Sequence, residues 1–427
     1  MDIKAVILAA GKGTRMKSET TPKVLHEIMG KTLLGYVLDN VKNFSSEEFV
    51  IVGHHAQDVE SFVQKNYDNA KTVLQSPQLG TGHAVSMVCP SLENYDGLVL
   101  ILCGDTPLVQ EKTLKDFVEF HKSQKSDLTV MSTLFDDPTN YGRIIRESDN
   151  SLKCIVEEKD ATIEQKAVKE VNAGIYCLNW AKIKHAFGQL TSNNAQGEYY
   201  LTDIISWGKA QNLSVNAYIL ENSDEIYGIN SRANLAQATK MMNRRNLEKY
   251  MENGVTIVDP DSTWISEDTI IGQDTIVYPS TYIEGKNIIG KNCKIGPCAH
   301  LRGDVEVCNN VKIGNFVEVK KAKICSNTNV GHLSYIGDAQ LGENVNIGAG
   351  TITANYNPLT KTKSKTIIED DAKIGSNSVL VAPVTVEQGA NVGAGGIITK
   401  DVQAWSLAVT RSPLKVLENW VKKQIQK

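Results

Sequence analysis

Two glycines, two cations and a hydroxyl follow an apolar run near the start of the chain, in Val6-Ile7-Leu8-Ala9-Ala10-Gly11-Lys12-Gly13-Thr14-Arg15-Met16. Small residues in such a loop let an anion approach the main chain, where successive backbone N–H groups hold a phosphate. The same glycines would equally serve a tight turn. The loop fits neither common phosphate pattern: Met16 stands where a dinucleotide fingerprint has its third glycine, and no Gly-Lys-Ser/Thr triplet closes it. A second candidate is Asp105, which with Gly104 directly follows the apolar run Leu98-Val99-Leu100-Ile101-Leu102-Cys103. Taken alone, that aspartate also reads as a helix cap.

Side chains of this kind act only if rigid elements hold them. Val6 to Ala10, Phe49-Val50-Ile51-Val52-Gly53 and Leu98 to Cys103 are uninterrupted apolar runs, as parallel strands buried on both faces require. Leu33-Leu34-Gly35-Tyr36-Val37-Leu38 begins an amphipathic helix between the first two. This alternation predicts an α/β unit over residues 1–228, Rossmann-like with a mostly parallel sheet, whose ligands lie outside the carboxyl ends of the strands. Gly11 to Arg15 and Gly104-Asp105 both fall at such ends. Residues 229–253 turn helical and are expected to link two domains.

Beyond them the period changes. Ile271, Val277, Ile283, Ile289, Ile295, Leu301, Val307, Ile313 and Val319 are nine aliphatic residues spaced by six, and the pattern returns from Ile368 through Ile374, Leu380, Val386, Val392 and Ile398. A triangular parallel β-helix has this repeat, with one inward aliphatic per short face and three faces per coil. It is expected over 254–405, followed by a tail over 406–427. Glycines after many of the aliphatics, such as Gly272, Gly290 and Gly314, are expected to form the tight corners. The register slips near Ile324 and Leu341, and a polar loop over 355–365 leaves the coil, as excursions that serve a site do.

With 41% hydrophobic and 22% charged residues, 427 residues can fill two or three packed cores. A net charge of −4 argues against general nucleic-acid binding. No apolar run reaches transmembrane length and the N-terminus lacks a signal-peptide pattern, so a soluble, cytoplasmic protein is expected, with no membrane and no nucleic acid among its partners. The eight cysteines lack a C-x-x-C pair and read as mostly buried, reduced thiols.

The motifs Leu8 to Met16, Pro22-Lys23-Val24-Leu25, Gln78-Leu79-Gly80-Thr81-Gly82-His83-Ala84, Gly104-Asp105-Thr106-Pro107-Leu108, Tyr141-Gly142-Arg143-Ile144 and Gly197-Glu198-Tyr199-Tyr200-Leu201-Thr202-Asp203-Ile204 resemble those of the sugar-nucleotide pyrophosphorylases. The hexapeptide half carries Gly314-Asn315-Phe316-Val317-Glu318, Gly331-His332-Leu333-Ser334-Tyr335-Ile336-Gly337-Asp338 and Asn346-Ile347-Gly348-Ala349-Gly350-Thr351-Ile352-Thr353. Together they resemble the bifunctional N-acetylglucosamine-1-phosphate uridyltransferases and glucosamine-1-phosphate N-acetyltransferases of bacterial cell-wall precursor synthesis. The resemblance covers nearly the whole chain and implies a left-handed β-helix.

It implies a nucleotidyltransferase site in which Arg15 and Lys23 are catalytic cations, and Leu8, Gly11, Gly13, Gln75, Gly80, Thr81, Gly104, Gly142, Glu157 and Asn172 bind UTP or the sugar nucleotide. Asp105 and Asn230 would hold Mg2+. In the β-helix the resemblance makes His332 the general base, with Arg302, Lys320, Tyr335 and Asn346 on the sugar phosphate. Ala349, Asn355, Tyr356, Ser376, Ala394 and Arg411 would line the acetyl-CoA channel of a homotrimer. The implied substrates are UTP, glucosamine-1-phosphate, N-acetylglucosamine-1-phosphate and acetyl-CoA as co-substrate. Compared with that family, the stretch between Asn230 and Arg302 is shorter by about two coils. The competing reading keeps the first half catalytic and makes the β-helix an assembly or allosteric module.

Overall fold

A computed structural model describes residues 2–410 and 413–425, which form two compact units, 1–242 and 243–427. In the first, strands β1 (Ile3–Leu8), β2 (Glu47–Val52), β3 (Ala70–Leu74), β4 (Leu98–Cys103), β5 (Leu128–Leu134), β6 (Arg143–Arg146), β7 (Leu152–Val156), β8 (Glu170–Asn179) and β9 (Val215–Leu220) make a nine-stranded sheet. Its main order is β9-β5-β8-β4-β1-β2-β3, with β6 and β7 attached through β8. Every pairing along this main order is parallel except those of β8, which runs antiparallel between β4 and β5.

The unbroken apolar runs have a direct packing reason. Ala5, Ile7, Val50, Val52, Leu98, Leu100 and Leu102 bury into one core, while Val6, Phe49, Ile51, Val99 and Ile101 bury into another. Alternate side chains point to opposite faces, so each face of the sheet has its own helical cover. Helix α1 (Leu33–Val41) starts where the Thr32 hydroxyl accepts from the Gly35 N–H at 3.0 Å, the usual N-cap device. Helices α2 (Ala56–Asn66), α3 (Thr81–Ser86), α4 (Glu111–Ser123) and α5 (Asp203–Ala210) follow strands of the same sheet or the loops beside it.

The helix Arg232–Glu252 (α6) runs from one unit into the other. Ala238 and Met242 belong to a core of the first, and Leu247 to the core of the second. That second core is a single column of aliphatics from Val255 to Val402. Three parallel sheets of nine, eight and seven short strands surround it, a left-handed parallel β-helix. Successive coils are in register every 18 residues (Lys294 with Lys312), then every 17 (Lys312 with Asn329 with Asn346), because the corners at Lys321 and Asp338 are one residue short. A step of 27 (Asn346 with Lys373) accommodates the polar excursion, whose tip is the hairpin Tyr356–Asn357 with Thr362–Lys363. The first sheet continues to Leu407–Ala408.

The corners differ from expectation. Positive φ falls mostly on non-glycine residues such as Asp274, Ser280, Asn292, Asn310, Phe316 and Leu333, three residues after an inward aliphatic, with glycine at that place in Gly350, Gly389 and Gly395 and one residue after the aliphatic in Gly296. The glycines directly after the aliphatics serve stacking instead. A Cβ on Gly314 would lie 2.0 Å from the Gly331 carbonyl oxygen, and one on Gly272 would lie 2.7 Å from the Gly290 carbonyl carbon. The eight cysteines are all free, but only Cys177 and Cys293 are fully buried. No described helix is long and apolar enough to cross a membrane.

Candidate active sites

The glycine loop leaves the C-terminal end of β1 and tightens into a single turn at Thr14–Met16, anchored by the buried Met16 side chain. Gly13 has φ +60°, and a Cβ there would meet the Lys23 Cβ at 2.8 Å, so the loop closes against Lys23 only because Gly13 has no side chain. The Lys23 ammonium donates to an Asp105 carboxylate oxygen and, at 3.1 Å, to the Asn230 amide oxygen. That same amide oxygen accepts from Arg15 at 3.0 Å. Asp105 sits just past β4, where its backbone carbonyl accepts from the Ile229 N–H at 3.0 Å. Four side chains from distant parts of the chain therefore meet beside the loop. Gly104 lets this happen closely: its N–H donates to the Leu8 carbonyl at 2.9 Å, and a Cβ would lie 3.2 Å from that oxygen.

A cleft of about 890 Å³ opens above the strand ends, lined by Leu8, Gly11, Gly13, Arg15, Lys23, Gln75, Gly80, Thr81, Asp105 and Glu157 among others. At its far wall, Glu157 follows β7 and accepts from the Thr202 hydroxyl at 3.2 Å. Burial, reinforced by the Asp203, Asp160 and Glu198 carboxylates, pushes the Glu157 carboxyl up against the effect of that hydroxyl. Gly142 faces it, and the Gly142 carbonyl accepts from the Asn172 N–H at 2.8 Å. A bulge in β8 between Asn172 and Tyr176 turns the Asn172 amide, whose oxygen accepts from the Gly174 N–H and whose nitrogen donates to the Tyr176 hydroxyl, both at 2.9 Å. Gly104, Gly142, Asn172 and Asn230 do not line the cleft themselves but lie beside residues that do, Gly104 next to Asp105, Asn230 bonded to Lys23, and Gly142 against Glu157 with Asn172 bonded to it.

Two neighbours were not anticipated. Cys103 lines the cleft with its thiol pushed up to about 12 by burial and the Asp105 carboxylate. Glu158 holds the fully buried Arg143 at 2.6 Å, clamping β6 under the cleft. The charged run that opens at Glu157, straight after an apolar strand, is the sequence signal that marks this wall.

Asp105 and Asn230 supply a carboxylate and an amide oxygen that already share one cation, the Lys23 ammonium. Two hard oxygens beside the glycine loop fit magnesium, which takes few protein ligands and completes its shell with phosphate and water. Among the described residues no group of three or more His, Cys, Asp or Glu could hold a metal.

On the β-helix, Arg302 lies in register with Glu284 below and Lys320 above. Its guanidinium donates to Glu318 at 2.9 Å and to Glu284 at 3.4 Å, and these carboxylates, Glu318 foremost, hold its pKa above the ordinary value. Lys320 makes no ion pair among the described residues. The next coil brings Tyr335 into register with Glu318. Asn355 at the foot of the hairpin is buried, donates to an Asp338 carboxylate oxygen and lies 3.5 Å from the Tyr335 hydroxyl. Tyr356 is exposed on the hairpin itself, and Asn346 is exposed on the first face.

His332 is exposed at the end of a first-face strand, with its carbonyl accepting from the Ser334 hydroxyl at 2.8 Å. The ladder pairs Val330 with Ile347, Ile347 with Ile374 and Ile374 with Val392. Two residues further along each strand, His332, Ala349, Ser376 and Ala394 therefore stack in one column. The hydrogen bonds from Asn377 N–H to the Ala349 carbonyl (2.7 Å) and from Gly395 N–H to the Ser376 carbonyl (2.8 Å) fix that alignment. Arg411, expected beside them, lies outside the described residues.

The nucleotidyl transferase family profile matches residues 4–228, and the bacterial transferase hexapeptide profile (six repeats) matches 288–321. A "Bifunctional protein GlmU" of Alkaliphilus metalliredigens is 43% identical over 455 positions, covering 99% of this chain and 98% of the relative. That of Caldanaerobacter subterraneus is 45% identical over 460 positions, covering 100% and 99%, and that of Clostridioides difficile is 43% identical over 461, covering 100% and 99%. These alignments are longer than the 427 residues of the chain, so the relatives carry residues that it lacks. The chain belongs to the bifunctional GlmU family, and it is an enzyme with a nucleotidyltransferase domain followed by a hexapeptide acetyltransferase domain.

Proposed function

We propose that the β-helix acetylates glucosamine-1-phosphate with acetyl-CoA, and that the cleft then transfers UMP from UTP to N-acetylglucosamine-1-phosphate with release of pyrophosphate. The observation that carries the second step is the meeting of Arg15, Lys23, Asp105 and Asn230 at the glycine loop. In-line attack by a sugar-phosphate oxygen on the α-phosphorus needs positioning and charge neutralisation more than covalent help. The loop N–H groups cradle the triphosphate, while Arg15 and Lys23 offset the charge that builds on the α-phosphate and the leaving group. Asp105 and Asn230 hold Mg2+, which when bound neutralises phosphate charge. Glu157, Gly142 and Asn172 hold the acetylated sugar, and Gln75, Gly80 and Thr81 the base.

For the first step, the amine must be neutral when it attacks the thioester, and an imidazole is the side chain best suited to take its proton near neutral pH. His332 has that role, with Arg302 and Lys320 on the phosphate and Tyr335, Asn346 and Asn355 around the sugar. Ala349, Ser376 and Ala394 are small and continue the His332 column, which suits an extended thioester arm lying along it, with Tyr356 on the adjoining hairpin. The protein works as a cytoplasmic homotrimer, since a solenoid with flat faces packs readily side by side.

Assaying the two products separately tests the assignment. Asp105→Ala should abolish UDP-N-acetylglucosamine formation from N-acetylglucosamine-1-phosphate and spare acetylation, and His332→Ala should do the reverse. An Asp105→Ala enzyme with near-normal uridylyl transfer, or a His332→Ala enzyme with a full acetylation rate, sinks the respective half. The His332→Ala result also decides against a β-helix that serves only assembly.

A further inference from the structure

His83 lies in a motif that the resemblance matches but to which it gives no role, and the hydrogen bonds around it define one. Gln75 follows β3 and is buried at the cleft, its N–H bonded to the Val52 carbonyl at 2.8 Å. Its side-chain nitrogen donates to the Gly80 carbonyl at 2.9 Å and lies 3.1 Å from His83 Nδ1. A carbonyl oxygen only accepts, so the amide nitrogen, not the oxygen, must face Gly80. Its second N–H then points at His83, whose Nδ1 must present a lone pair. With both hydrogens committed, the one polar atom that Gln75 can offer a ligand is its Oε1, an acceptor. That oxygen has no hydrogen-bond partner among the described residues, and Gln75 lines the cleft.

The two locks are themselves rigid. Gly80 has φ +112°, and a Cβ there would lie 2.7 Å from the Tyr199 carbonyl oxygen. The Leu79 carbonyl accepts from the Tyr199 N–H and the Tyr199 carbonyl from the Gly82 N–H, each at 2.8 Å, and the His83 ring lies tilted beside the Tyr199 ring with centroids 6.4 Å apart.

We infer that His83 is a positioning residue for nucleobase choice: it holds the Gln75 amide with its oxygen toward the base, so that the cleft accepts a pyrimidine with an N–H at ring position 3 and rejects one with a lone pair there. Uracil has that N–H and cytosine does not. The inference rests on the proposed base site at Gln75. A site built around a fixed hydrogen-bonding group discriminates far more strongly than shape alone, because the wrong ligand leaves a buried polar group unpaired.

The test uses the full-length enzyme with UTP and CTP as competing substrates. His83→Leu places a methyl where Nδ1 was and leaves the Gly80 carbonyl as the one remaining lock on the Gln75 amide. The ratio of kcat/KM for UTP over CTP should then fall by roughly tenfold or more, with the loss on UTP carried by KM rather than kcat. His83→Asn puts its Oδ1 at the place of Nδ1 and should restore most of the ratio, an outcome that a purely structural role for the ring would not produce. A His83→Leu enzyme with the wild-type ratio, or a His83→Asn enzyme as impaired as His83→Leu, overturns the inference. Gln75→Leu is the separate control: if it leaves the ratio unchanged, the base site itself is misplaced.

Discussion

His121 shows how one buried side chain can set the acid limit of the first domain. It lies in α4, is 2% exposed, and its Nδ1 is 2.8 Å from the Thr129 hydroxyl, while its Nε2 has no partner. Burial lowers its pKa to about 4, with Lys122 adding to the effect and Asp127 opposing it. The unfolded chain, with an ordinary histidine near 6.5, therefore binds a proton that the folded one refuses. Stability is full above that value, falls as pH drops through it, and the loss is complete near 4, on the order of 3 kcal/mol at most. Chemical denaturation at a series of pH values should show this limb for the wild type and a flatter one for His121→Leu. Identical slopes would mean that His121 is charged in the folded state.

The element that most constrains the second domain is the coil, and its weak point is where two coils touch. Gly314 stands against the Gly331 carbonyl so closely that a methyl group cannot enter without parting two strands. Those strands carry Asn315 and His332 in register. Gly314→Ala should cost at least about 2 kcal/mol of stability in the β-helix and displace His332. Acetylation is then expected to fall while uridylyl transfer in the same preparation holds. Equal loss of both activities would show that the damage is not local to the coil. The shortened corners belong to the same scale. Each removes one residue before the coil that carries His332 or Asn346, and the second leaves Asp338 bonded to Asn355 at the foot of the hairpin.

At the scale of the molecule, the cores are separate: no aliphatic of the β-helix column belongs to the clusters that cover the first sheet. Helix α6 spans the boundary between the two units. A fragment of residues 1–252, which keeps that helix whole, should fold and catalyse uridylyl transfer within about threefold of the full chain, as domains with their own core do. Aggregation or loss of activity would show that the first unit needs the second.

Much of this was legible beforehand because burial leaves a periodic trace. A strand covered on both faces must be apolar throughout, as Val6 to Ala10 are, and a coil with one inward residue per face must repeat every six, as Ile271 to Val319 do. The reason for the glycines was not legible, since a corner and a close coil contact both favour a missing side chain. Nor was β8, whose antiparallel course supplies Asn172 and whose bulge no local pattern announces. The sequence alone determined the two architectures, and its long motifs named the candidate residues of both sites. Only the tertiary structure brought Lys23 to Asp105 and Asn230, 82 and 207 residues away, and aligned Ala349 with Ser376 across a step of 27. Periodicity records which way a side chain faces, whereas such meetings depend on how distant segments cross, and no local spacing encodes that.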